Sequence, residues 1–294
     1  MNGLRFGYGT NGLTDLRLDD ALGLLADLGY DGVALTLDHM HLDPMAPDLA
    51  RRTAAVARRV GVLGLAVVVE TGGRYVLDPR RKHRPTLLDD EPGPRLELLR
   101  RAVAVGADLG AEAVSFWSGV RPATVPPAAA WARVVSGCAQ VGELAGRLGV
   151  RLAFEPEPGM LVETVADWTA LAAEVGGPDR LGLTLDVGHC RCLEPEPEAA
   201  CVRRVAGMLA NVQLDDMRRG VHEHLPFGDG EVDLPAVLGA LAATGYAGLA
   251  SVELPRHSHA GPELAACSLA ALRAAAAIAG AGVAGAGAEP AVAR

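Results

Sequence analysis

Aromatic residues are scarce, at 4% of 294 residues, and 36 glycines with many alanines, leucines and valines take their place. That bias identifies no function. Positive charge is also short: 27 Lys and Arg against 36 Asp and Glu leave a formal charge of −9. Nucleic-acid binders need a basic face to displace counterions, so no nucleic-acid partner is expected. The five cysteines are odd in number, and no charged-then-apolar leader precedes the first apolar run, so a reducing cytoplasm is the expected location. No apolar run approaches the ~20 residues of a spanning helix, and no membrane partner is expected. Two signatures are missing as well. TNGLTDL, after the first apolar run, lacks the GxGxxG of dinucleotide sites, and no GxSxG marks a serine nucleophile. What the chain does have is bulk for burial: 50% of its residues are hydrophobic, enough for a large core in one or two domains.

Short apolar, β-rich runs recur at Leu4–Thr10, Gly32–Leu37, Leu63–Glu70, Ala113–Trp117, Arg151–Glu155, Leu181–Asp186, Ala210–Leu214 and Leu249–Glu253. Continuous runs such as LGLAVVVE suit parallel strands buried on both faces. Between them lie helical stripes, for example Leu18, Ala21, Leu22, Leu25 and Leu28, or Trp131, Val134, Val135, Cys138 and Val141. Thr164 with Asp167 predicts a capping box, and Gly29, Gly110, Gly149 and Gly245 predict left-handed helix ends. Eight strand–helix units in one chain predict an α/β fold, a single (β/α)8 TIM barrel over residues 1–279. A doubly wound sheet is the weaker alternative. The Gly/Ala-rich stretch 280–294 is expected to be a disordered tail, and the polar stretch 72–94 a long loop of the functional or mobile kind.

In a barrel, chemistry gathers at the C-terminal ends of the strands. The fifth run ends in Glu155 and Glu157, the sixth in Asp186 and His189, the seventh carries Gln213, Asp215 and Asp216, and the eighth ends in Glu253, followed by Arg256, His257 and His259. Four consecutive strands thus bring an oxygen-bearing side chain to nearly one depth. Carboxylates so close repel unless a cation lies between them. The expected metal ligands are Glu155, Asp186, Gln213 and Glu253, around one divalent ion; oxygen ligands favour Mn2+ or Mg2+, with Co2+ or Zn2+ as alternatives. Such an ion acidifies the α-proton of a hydroxy-carbonyl compound by stabilising the enediolate, and glutamates on opposite faces can move the proton. Retention of the hydroxyls gives epimerisation or aldose–ketose isomerisation, and loss of a β-hydroxyl gives dehydration. Cys190 and Cys192 form a C-x-C pair without a second pair, a weak metal signal.

These strand ends resemble those of the xylose isomerase-like (AP endonuclease family 2) TIM barrels, which include sugar isomerases, 3-epimerases and inosose and 3-dehydroshikimate dehydratases. The resemblance runs to about residue 275 and rests on Glu155, Asp186-Val-Gly-His189, Gln213-Leu-Asp-Asp216, His224, Gly228-Asp-Gly230-Glu-Val-Asp233 and Glu253. It implies that Glu155 and Glu253 are both ligands and the catalytic acid/base pair, that His189 contacts a substrate oxygen, and that Arg218 or Arg219 binds substrate. Gln213 departs from a histidine found there in most members; its neutral amide oxygen is a weaker donor, which implies lower metal affinity or a preference for oxygen-loving metals. A glutamine there also keeps the dehydratase branch open. The DNA-repair members carry more histidines than this acidic chain. The expected activity is a divalent-metal-dependent isomerase or epimerase of a sugar, keto-sugar or cyclitol, with a dehydratase as alternative.

The first four strand ends offer Asn11, His39, His41, Glu70, Arg74, Tyr75, Trp117 and Ser118. His39 and His41 read as substrate contacts, a second metal pair or a solvated loop; Trp117 reads as a wall under a sugar ring or as core. Arg74, Arg80, Arg81, Lys82 and Arg84 read as an anion site or as a solvated loop. The expected substrate-binding set is His189, Arg218, Arg219, His224, His257, Trp117, Glu157 and His41. Assembly into homo-oligomers is compatible with all of this.

Overall fold

The computed structural model describes residues 3–286. In chain order the elements are β1 (Arg5–Gly9), α1 (Leu18–Leu28), β2 (Gly32–Thr36), α2 (Leu49–Leu63), β3 (Ala66–Glu70), α3 (Gly93–Leu109), β4 (Val114–Phe116), α4 (Pro127–Leu148), β5 (Leu152–Phe154), α5 (Val165–Val175), β6 (Gly182–Asp186), α6 (Val187–Leu193), α7 (Glu198–Val205), β7 (Leu209–Leu214), β8 (Asp216–Arg218), β9 (Val221–Leu225), α8 (Leu234–Ala243), β10 (Leu249–Val252) and α9 (Gly261–Ala286). Eight strands close in the order β1-β10-β7-β6-β5-β4-β3-β2, every neighbour parallel. The fold is the expected (β/α)8 barrel, and each expected strand falls on an observed one. Strands β8 and β9 form a separate antiparallel hairpin after β7.

The local signals operate as read. Thr164 and Asp167 complete a reciprocal capping box on α5. Gly29, Gly110 and Gly149 adopt left-handed backbone at the ends of α1, α3 and α4, and Gly245 does so just past α8. Of the expected tail, residues 280–286 continue helix α9, while 287–294 lie outside the described residues. One expectation is corrected: Ser258–Gly280 is apolar and long enough by composition to cross a membrane. Its alanine content produces that property, although Glu263 and Arg273 interrupt it. Ala265, Leu269, Leu272 and Ala275 of this segment are buried in the core.

Alternation along each strand sorts side chains between two layers. Outward residues such as Val67, Val69, Phe116, Phe154, Leu183, Leu185, Val212 and Val252 pack under the helices in the main core. Inward residues form a small second cluster at the base of the barrel: Val68, Ala113, Ala153, Ala210 and Leu249. Leu249 fills the space left by two glycines, since a Cβ on Gly7 would lie 2.5 Å from Leu249 Cδ2 and one on Gly32 would lie 2.7 Å from Leu249 Cδ1. Above that plug the interior turns polar. Ser115 and Thr184 hydroxyls are 2.8 Å apart, and Asn211 Nδ2 donates to Glu70 Oε1 at 3.0 Å. The chemistry sits one step higher.

Candidate active site

Strand register delivers the residues at the mouth. Asp186 and Gln213 are paired neighbours on β6 and β7. The ladder continues one residue past β5 and β10, where Glu155 N–H donates to Phe116 O at 2.9 Å and Glu253 N–H to Leu214 O at 3.0 Å. Glu155, Gln213 and Glu253 therefore face one cavity of about 260 Å³, lined also by Asn11, Glu70, Trp117, Glu157, His189, His222 and His224. Asp186 is not among the lining residues; 2% exposed, it is buried behind the wall, beside a small separate void that it shares with His189, and within reach of Glu155 and His189: one ligand atom from each of the three lies within 4.8 Å of the others.

Asp186 divides its two oxygens. Oδ1 accepts the His189 N–H at 2.9 Å and caps α6. Oδ2 is buried without a hydrogen-bond partner, as is Gln213 Oε1. His189 Nδ1 is 3.0 Å from Pro156 O; a carbonyl only accepts, so Nδ1 carries the proton and Nε2 presents a lone pair. That Nε2 is also without a partner and lies 3.8 Å from Asp186 Oδ2. Glu253 is oriented by Asn11, whose Nδ2 donates to Glu253 Oε1 at 2.8 Å.

The electrostatics follow from burying acids together. Burial first, and Glu253 second, push Glu70 up to about 8 and Glu155 well above the ordinary carboxylate range. Burial likewise raises Glu157 to about 7, against the pull of His224, and raises Asp215. His224 goes the other way: burial would lower it, but Asp215, 2.6 Å from its Nδ1, holds it up at about 10. Burial lowers His189, opposed by Asp186, and lowers His222 to about 3.

Two glycines of the quoted stretches have steric reasons. A Cβ on Gly188 would sit 2.1 Å from Asp215 Oδ1, and one on Gly230 2.3 Å from Asp216 Oδ1. Asp216 accepts the N–H groups of Met217, Gly228, Gly230 and Val232, so it ties down the hairpin loop rather than facing the cavity.

Several expected substrate contacts lie elsewhere. Arg218 and Arg219 are exposed on the hairpin turn; Arg218 pairs with Glu223 and the Asp229 carbonyl, and Arg219 with the Glu194 carbonyl. The turn points these side chains away from the mouth. His41 is 3% exposed and its Nε2 meets Leu16 O at 3.1 Å, so it is packed beneath the loop whose His39 and Met40 line the cavity. His257 stacks on His259, with ring centroids 6.2 Å apart, and stays off the cavity wall. Cys190 and Cys192 are buried in α6, and among the described residues no cluster of potential ligand atoms includes a cysteine.

Trp117, His189, His224 and Glu157 do line the cavity as expected. The structure adds to the wall Asp38 and His222, the latter's ring lying 4.9 Å from His189 and 5.3 Å from His224. The H-x-H spacing of His222 and His224 was its available signal, because alternation puts both on one face of β9. Asn11 stands just past the first strand, and its hold on Glu253 joins residues 242 apart in sequence, which no local pattern signals.

Comparison with known proteins agrees with this architecture. The chain is 27% identical over 239 residues to an L-ribulose 3-epimerase of Mesorhizobium japonicum, aligning 78% of this chain with 73% of that protein. It is 29% identical over 278 residues to the rhizopine catabolism protein MocC of Rhizobium meliloti, over 83% and 78% of the two chains. A solved L-ribulose 3-epimerase structure matches with a TM-score of 0.76 at 22% identity, covering 98% of this chain and 100% of that one. The family model for the xylose isomerase-like TIM barrel matches residues 22–275, and the chain belongs to that family.

Proposed function

We propose that the protein is a divalent-metal-dependent epimerase or isomerase of a hydroxy-carbonyl sugar, with Glu155 and Glu253 as its acid/base pair. The observation that carries the reading is the pair of register-matched residues, Asp186 and Gln213, whose buried Oδ2 and Oε1 have no partner: Gln213 lines the cavity together with Glu155 and Glu253, and Asp186 lies just behind it against Glu155 and His189. Orphaned buried oxygens cost ~1–3 kcal/mol each, and a cation satisfies them together. Glu155 and Asp186 already bring ligand atoms within 4.8 Å of each other and of His189; with Gln213 and Glu253 they would hold the ion, and three carboxylates with one amide favour Mn2+ or Mg2+ over softer metals. When bound, the ion supplies positive charge that polarises a carbonyl oxygen.

The remaining work belongs to the chain. Glu155 comes from β5 and Glu253 from β10, with β6 and β7 between them, so a compound in the cavity lies between two carboxyls. One carboxylate removes the proton next to the carbonyl, and the electron pair left behind moves onto the carbonyl oxygen. The other carboxyl returns a proton from its own side, which inverts the carbon. Asn11 fixes the Glu253 oxygen it binds. His189, neutral at Nε2, accepts a hydrogen bond from a sugar hydroxyl, and Trp117 forms an apolar wall. L-ribulose 3-epimerase activity in one relative supports this reaction class.

The test is metal quantification of the purified protein together with solvent-deuterium incorporation into ribulose, xylulose, fructose and cyclitol ketones. About one equivalent of divalent metal, and deuterium gained next to the carbonyl with the carbon count and oxidation state unchanged, are the expected results. A dehydrated product would instead establish a lyase.

A further inference from the structure

The cavity is acidic at its floor and basic at one side of its rim. Arg74, Lys82 and Arg256 all line it, and Lys82 and Arg256 also line an adjoining compartment of about 400 Å³ bounded by His83, Trp117, Gly119 and Met160. In a chain with a surplus of acids, three cations at one rim call for an explanation. Arg74 spends one hydrogen bond on the Pro255 carbonyl, at 2.7 Å. Two acids lie on this side: Asp38, which lines the cavity beside Gly73 and accepts the Met40 and His41 N–H groups, and Glu157, which shares both compartments with Lys82.

The segment that presents Lys82 is held as a wall. Arg95, 3% exposed, donates to Pro85 O at 3.0 Å and to His83 O at 2.7 Å, and its guanidinium lies 4.7 Å over the Trp117 ring. Arg84 makes a two-pronged pair with Asp89 at 2.8 and 2.9 Å, and Asp89 also accepts from Thr86. His83 N–H reaches back to Arg74 O at 2.6 Å, and the His83 ring leans on Trp117 at 4.8 Å. A buried guanidinium bonded to two loop carbonyls is costly to assemble. It is what a fixed rim requires and a freely solvated loop does not.

Building on the epimerase reading, we propose that the substrate carries a phosphate ester, held at this rim by Lys82, Arg256 and Arg74. A phosphate carries about −1.5 to −2 charges at neutral pH, which suits several cations better than the single charge of a carboxylate. The floor carboxylates repel such a group and the rim attracts it, so the field alone directs the hydroxy-carbonyl end toward Glu155 and Glu253.

The experiment compares ribulose, ribulose 5-phosphate and a keto-uronic acid as substrates, and titrates inorganic phosphate calorimetrically, for the purified metal-containing wild type and the Lys82→Gln/Arg256→Gln double variant. The expected wild-type preference, in kcat/KM, is at least ten-fold for the phosphate ester. In the double variant the loss on the ester exceeds the loss on ribulose by ten-fold or more, and phosphate affinity falls at least ten-fold with metal content unchanged. Equal losses on both substrates would mean that Lys82 serves Glu157 alone; unchanged phosphate affinity would mean that the anion binds elsewhere. A preference for a keto-uronic acid over the ester would replace phosphate by carboxylate. Each of these three results overturns the proposal. If no sugar exchanges deuterium, the epimerase reading falls, while the phosphate titration still judges the rim.

Discussion

The two halves of the barrel mouth are built differently. Strands β5, β6, β7 and β10 carry Glu155, Asp186, Gln213 and Glu253 at or within one residue of their ends, and the hairpin adds His222 and His224. Strands β1 to β4 and the turns after them contribute an amide, hydroxyls and an indole (Asn11, Thr36, Ser115 and Trp117), with Asp38 and Glu70 their acids, and the long 72–94 segment closes that side. One half concentrates carboxylates, an amide and imidazoles of the kind that can hold a cation or carry a proton. The other supplies shape, hydrogen bonds and two of the three rim cations, Arg74 and Lys82. Division of this kind lets chemistry and substrate choice vary separately on one scaffold.

The largest test of the contrast is Glu253→Gln. The amide keeps the side-chain shape and loses the proton-carrying function, so proton exchange falls by ~10²–10⁴-fold while the far-ultraviolet circular dichroism stays the same; a loss below ten-fold would remove Glu253 from the acid/base pair. Next in size is Asn11→Ala, on the first half. Glu253 keeps its proton chemistry and loses its 2.8 Å tether, for an expected kcat about ten-fold lower, consistent with the ~0.5–1.5 kcal/mol of one hydrogen bond. Steady-state kinetics against Asn11→Asp, which cannot donate from an ionised carboxylate, should show the same or a greater loss. The smallest effect is expected for Arg95→Met. It removes two hydrogen bonds from a charged donor, roughly 1.5–3 kcal/mol apiece at most, and frees the segment carrying Lys82. Thermal unfolding should fall by several degrees, at about 2–4 °C per kcal/mol for a chain somewhat shorter than this one. KM should rise with kcat nearly constant, and a fall in kcat alone would contradict a purely supporting role.

The same contrast explains what could be read in advance. The second-half residues lie on or directly beyond strands, and a strand announces itself as an apolar run whose last inward position is countable. Glu155, Asp186, Gln213 and Glu253 were legible for that reason. Helix caps were legible too, because Thr164 and Asp167 act within four residues of one another. Loops carry no period. Arg218 and Arg219 sit in the tight turn of a hairpin, where a one-residue change of direction decides between cavity and solvent, and they point to solvent. His41 follows β2 closely enough to suggest the mouth, yet the loop folds under and buries it. The tie of Arg95 to a loop ten or more residues away has no local signature at all, since it depends on how α3 packs beneath the segment before it.

The base of the barrel has a consequence of its own. One leucine, Leu249, occupies volume that Gly7 and Gly32 leave open on two neighbouring strands. The plug is therefore a shared quantity of matter, and no single strand has to supply it. Bulk can migrate from β10 to β1 by pairing a smaller residue at 249 with a larger one at 7, where the atoms nearest a Cβ belong to the Leu249 and Ser251 side chains, provided the total is kept; at 32 the Ala66 carbonyl oxygen, 2.6 Å from such a Cβ, bars the exchange. Such an exchange happens two layers below the carboxylates. The scaffold can thus be redesigned or can drift at its foundation without renegotiating the reaction above it.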